Sequence, residues 1–260
     1  ITLCDEVISE LKKNISLITD KTRQLLLNTG LLEFEKRLFF EMHFDTISNN
    51  YELASERFPD IVRYLSPNSF SNIKDNQQWV IEYSNEYKKS KIKNIISSRL
   101  NEILNQFNKD QSTFYNWYHS FESIHSILHS RKLDKTIWID AVGIEWVSFI
   151  EKYIESLNAN YRVVENKIGV ANLPTSTEQN RFPDSKYIQD FDLVIHNNTY
   201  KYPNSIIQEF SVLREIIDSN IVLDTNQTIA IVSDHGLTAL SKLVDSKKYG
   251  KNDSHERKIH

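Results

Sequence analysis

The sequence is poor in the residues that stiffen, break or cross-link a chain. Its 260 residues include one cysteine, one methionine, five glycines and five prolines. Cys4 alone excludes an intrachain disulfide, which fits a reducing compartment and gives a cytoplasmic expectation. No apolar run approaches the ~20 residues needed to span a bilayer. The opening "ITLCDEVISELKKN" lacks the basic and apolar regions of a secretory signal, so no membrane partner is expected. A formal charge of −4 supplies no global basic field for wrapping nucleic acid, although a local basic groove stays open. The chain opens on Ile1 rather than Met, and we read it as a fragment or a processed protein. A missing C-terminal segment could then carry site residues.

Glycine and proline are both absent from Asn68 to Val142, a stretch that can hold long helices. Ile92, Ile95, Ile96, Leu100, Ile103, Leu104 and Phe107 recur at threes and fours, which predicts one helical stripe. Phe114, Trp117, Tyr118, Phe121, Ile124 and Leu128 predict a second. The second half alternates instead. "KTIWIDAVG", "FDLVIHNN" and "TIAIVSDHG" read as strands; "IEWVSFIEKYIESLNA" and "PNSIIQEFSVLREIIDSN" read as helices, and "YRVVENKIGVANLP" as extended chain. That order argues for an α/β class with a mostly parallel sheet. The division is a helical region over 1–133 and an α/β core over 134–260.

Open parallel sheets bind ligands outside the carboxyl ends of their strands. The three predicted strands end in Asp140, in His196, and in Asp234 with His235. A carboxylate after an apolar run needs a partner if buried, and Asp140 reads equally as a metal ligand or as the N-cap of the following helix. Asp234 and His235 can reach one ion only if the backbone turns near them, and Gly236 permits the φ such a turn requires. A borderline ion such as zinc accepts carboxylate and imidazole together. In "ANLPTSTEQN", Thr175, Ser176 and Thr177 offer hydroxyls that become nucleophiles only beside a base or a metal. On its own the segment reads as a polar loop or a helix cap.

Taken in order, "IWIDAVG", "LPTST", "LVIHNN" and "SDHG" resemble the motifs of the alkaline phosphatase superfamily, and within it the PglZ domain of BREX phage-defence systems. The resemblance covers roughly residues 136–240. It implies an alkaline-phosphatase-like sheet flanked by helices and preceded by a helical region. It also implies a zinc site on Asp140, Asp234 and His235, and a nucleophilic Thr177 with Thr175 the alternative. A helix starting after Thr177 would add N–H donors for phosphate. For a second zinc the resemblance points to His196 and to a late His255, with Arg257 near the phosphate. Asp192 stands four residues before His196, but on a strand the two lie ~13 Å apart, too far to share an ion. No acid follows in "HNNTYKYPN", where relatives of this type carry one.

His125 and His129 have a zinc-compatible spacing but no acid between them, and we read them as the polar face of a helix. "YKKSKIK" reads as a solvated helix face, and "FYNWYHSF" as core rather than a platform for bases. The functional expectation is a metal-dependent phosphatase or phosphodiesterase of a bacterial anti-phage system. Its substrate would be phosphorylated, a nucleotide or nucleic acid among the options, and its partners other defence proteins. The rival expectation is a non-catalytic module of the same fold that docks those proteins, and a nuclease is the third.

Overall fold

A computed structural model describes residues 54–56, 58–93, 95–173, 177–196, 204–221 and 227–236, together with Glu6 and Glu10. Three short strands form its sheet: β1 (Lys135–Ile139), β2 (Lys186–Ile188) and β3 (Ile229–Val232). Their order is β2-β1-β3, and both pairings are parallel. The isoleucine-rich runs predicted at β1 and β3 form these strands because β-branched side chains pack well on a pleated surface. Strand β2 was not anticipated; "KYI" is too short to show a period.

Alternation along β1 sends Ile137 and Ile139 into the main core and Trp138 to the opposite face. The main core also takes in Phe58, Ile61 and Tyr64 of the first helical stretch, Ile92, and the aromatic group Trp146, Phe149 and Phe210. Residues of the helical half and of the sheet half therefore share one apolar cluster. On the other face Trp138, Phe182 and Val232 pack with Ile124 and Leu128. The architecture is mixed helix and parallel sheet, the α/β class expected from the sequence.

The helices whose bounds lie within the described residues are α1 (Pro59–Leu65), α2 (Trp79–Lys93), α3 (Ser98–Phe107), α4 (Gln111–Tyr118), α5 (Ile124–His129), α6 (Val147–Leu157), α7 (Asp190–His196) and α8 (Asn204–Asn220). Each predicted stripe is divided between two helices. Ser97 caps α3 by accepting from Leu100 N–H at 3.0 Å, and Ser123 caps α5 by accepting from Ser126 N–H at 3.2 Å. Ile95 falls in the first break and is exposed, while Ile92, Leu100 and Ile103 are buried.

Two other expectations are corrected. In "YKKSKIK", Lys88 and Lys91 are buried rather than solvated, because polar partners receive their ammonium groups. Helix α4, which carries most of "FYNWYHSF", buries none of its residues fully; its rings pack on one another, Phe114 edge-on to Trp117 at 5.0 Å and stacked on Tyr118 at 5.6 Å. No helix among the described residues is long and apolar enough to cross a membrane.

Candidate metal centre

The largest correction lies at "FDLVIH", which is helix α7 rather than a strand. Strand β2 ends just before it, and Asp190 and Asp192 occupy its first turn, where acids oppose the helix dipole favourably. The ~13 Å objection to Asp192 therefore lapses, since four residues of helix rise only ~6 Å. The three strands still deliver polar residues at their carboxyl ends, but β2 does so through Asp192 at the start of α7.

Asp140 follows β1 directly, and its N–H donates to Ile188 O at 2.9 Å. The chain then turns sharply: Ala141 is buried with φ 63°, a left-handed conformation that costs a non-glycine residue ~1–2 kcal/mol. Ser233, after β3, secures the turn from the other side. Its Oγ accepts from Val142 N–H at 3.0 Å and donates to His235 O at 2.9 Å.

The glycine after the Asp-His pair has a different use from the one expected. The φ of Gly236 lies outside the left-handed region. What matters is space, since a Cβ there would sit 2.5 Å from Gly143 Cα. The two loops touch backbone to backbone, and only glycine allows that approach.

Between these loops Asp140 and Asp234 are 3% and 2% exposed. His235 Nδ1 lies 3.1 Å from Asp234 Oδ2 and 3.4 Å from Asp140 Oδ1, which are ion-pair distances. Among the described residues no group outside this trio donates a hydrogen bond to either of those two oxygens. The other oxygen of each acid is taken. Tyr187 Oη donates to Asp140 Oδ2 at 2.5 Å, and Trp138 Nε1–H donates to Asp234 Oδ1 at 3.0 Å.

This arrangement splits the two acids electrostatically. Burial pushes Asp140 up to about 6; the charge of Asp234 adds to that rise and the Tyr187 hydroxyl opposes it. Asp234 is also penalised by burial, but hydrogen bonding and attraction from His235, with help from Trp138, leave it below the usual carboxylate range. Two buried carboxylates beside one imidazole leave an excess of negative charge, the condition a cation relieves.

The donor set fits a divalent ion. One ligand atom each from Asp140, Asp192 and His235 all lie within 4.8 Å of one another, and Asp234 stands beside the same imidazole. Oxygen with imidazole nitrogen suits several divalent ions, zinc among them. The structure thus brings together Asp140, Asp234 and His235 and adds Asp192, Tyr187 and Trp138, which sequence reasoning did not assign to the site.

Thr177 is half-buried, and its carbonyl accepts from Asn180 N–H at 3.3 Å to close a turn. The helix expected after it does not form. Among the described residues no hydrogen bond joins its side chain to the acids. Thr175 and His255 lie outside the described residues, as does the side chain of His196. His129 Nδ1 lies 2.8 Å from His125 O, and the His125 ring stands 4.8 Å from Phe182, so the two imidazoles are engaged separately. Against known proteins, the chain matches no family model, no curated protein and no solved structure.

Proposed function

We propose that this chain is a metal-dependent phosphoryl-transfer domain, a phosphatase or phosphodiesterase with an alkaline-phosphatase-like core. Like the PglZ domains its motifs resemble, it would serve bacterial phage defence in the cytoplasm. The observation that carries this reading is the buried excess of acid at the carboxyl ends of two neighbouring parallel strands. Such a cluster costs stability unless a cation completes it. Asp140, Asp192 and His235 would hold the ion with Asp234 beside them, and zinc is our assignment.

A divalent ion at such a place polarises a phosphoryl oxygen and favours the alkoxide of a neighbouring hydroxyl. The chain's own part is to supply and orient that hydroxyl. Thr177 Oγ1, or Thr175 in its place, would give its proton to solvent and form a bond to phosphorus while the ester oxygen leaves with the bonding pair and takes a proton from water. A second water would then cleave the phosphothreonine, restoring the hydroxyl and freeing the phosphate. The packed rings of Trp138 and Phe182 keep water from the inner side of the acids. The substrate is then a phosphate ester, a nucleotide or nucleic acid end being the natural class. The assay is hydrolysis of a chromogenic phosphodiester with added zinc, comparing wild type with Thr177→Ala and Asp234→Ala. Equal rates in all three would end the catalytic reading.

One observation favours a second reading, a non-catalytic module that docks defence partners: the hydroxyl of Thr177 makes no hydrogen bond to the acids among the described residues. Metal content by atomic emission separates the two. A chain that retains no divalent ion after zinc addition belongs to the second.

A further inference from the structure

Trp138 and Tyr187 are partners across the β1–β2 pairing, so their side chains stand on the same face of the sheet. Their ring centroids are 4.4 Å apart, tilted by 55°, and Phe182 backs Trp138 edge-on at 5.2 Å. From this aromatic pair one N–H and one O–H project, and each ends on a different aspartate. We propose that the Trp138–Tyr187 pair holds Asp140 and Asp234 by one oxygen each, so that these two acids present a single oxygen apiece, Asp140 Oδ1 and Asp234 Oδ2, to a divalent cation held with Asp192 and His235. Tyr187 and Trp138 are then positioning residues of the centre, and the proposal rests on the reading of that centre as a metal site.

The physical ground is the geometry of a carboxylate. With both oxygens free it can rotate, chelate through two atoms, or bridge two ions. A donor fixed on one oxygen removes those options and orients the remaining lone pairs. Packing holds the indole donor in place, and the Tyr187 ring leans on it. The indole is 5% exposed and wedged between Phe182 and Tyr187, and neither donor hangs on a flexible chain. The two oxygens left over are those facing His235 Nδ1, so all three atoms converge before any ion arrives. Tyr187 itself is 44% exposed, so losing its hydroxyl opens no cavity in the core.

The test titrates zinc, and separately manganese, into the full chain. Affinity is read by chelator competition, alongside tryptophan emission and the metal-free melting temperature. Tyr187→Phe keeps the ring and deletes only the donor; the expected result is ~10–100-fold weaker binding, a loss well beyond the small fall in metal-free melting temperature that one missing hydrogen bond to Asp140 brings. Trp138→Phe is expected to weaken binding similarly and to abolish the metal-induced emission change, since Trp138 is the indole bonded to Asp234. Wild-type affinity in Tyr187→Phe overturns the positioning role and leaves the metal centre standing. A melting temperature that falls in step with affinity also overturns it, because a merely structural contact would act that way. A wild type that takes up neither ion removes the centre and this proposal together.

Discussion

Two clusters of buried charge lie among the described residues, and they are built on opposite plans. The first joins the helical half to the sheet half. Lys91 of α2 is paired with Glu209 of α8, has Glu145 at 3.9 Å, and lies 4.8 Å over the Trp146 ring. Lys88 Nζ donates to Ser66 O, Asn68 Oδ1 and Ser148 Oγ at 2.7, 2.7 and 2.8 Å. Two lysines face two glutamates, and the three ammonium protons of Lys88 are all used. The second cluster, Asp140 with Asp234 and His235, has more acid than base; Glu209 Oε1 of the first cluster is also buried without a hydrogen bond, so the contrast lies in the charge. Balanced charge marks a joint, whereas unbalanced charge marks a place prepared for something else.

Breaking the balanced cluster should give the largest effect. Lys91→Met leaves Glu209 and Glu145 buried without their cation, and urea denaturation should show a loss of ~3–5 kcal/mol. A loss within error would mean the joint is not what binds the halves. Asp140→Asn should act in the opposite direction. Its raised pKa shows that folding disfavours its charge, so the metal-free variant should be more stable at neutral pH by ~1–3 kcal/mol while losing metal uptake.

The sign follows from the protons. Asp140 rises from 3.8 to about 6 on folding, so between those values the folded state holds the extra proton. Metal-free stability therefore falls as pH rises through that window. Metal uptake needs the proton gone and should be about tenfold weaker near pH ~5 than on its plateau above pH ~7. Asp140→Asn should flatten the stability profile, and denaturation across pH checks it. The smallest effect belongs to Ala141→Gly. Relief of the left-handed φ should stabilise the chain by up to ~1 kcal/mol in thermal melts, with metal uptake preserved.

The same contrast explains what could be read in advance. Asp140, Asp234 and His235 were legible because each follows an apolar strand, where a charged residue is conspicuous. Asp192 was misread because Phe191, Leu193, Val194 and Ile195 have the composition of a buried strand; the helix is betrayed only by two acids in a first turn after a very short β2. Lys88 and Lys91 looked like surface residues because Glu209 lies far along the chain, and no local pattern announces so distant a counter-ion. The breaks at Ser97 and Ser123 went unread because the apolar period runs past both cap residues. Tyr187 and Trp138 carried no signal, since a donor's role depends on what faces it across the sheet.

Gly143 and Gly236 meet without side chains, and that contact links the inheritance of two distant codons. A side chain at Gly236 would strike the backbone of Gly143, and one at Gly143 would strike the Glu145 carboxylate, so the loop after β3 cannot gain bulk there unless the loop after β1 moves. The rim of the sheet must vary as one unit or not vary.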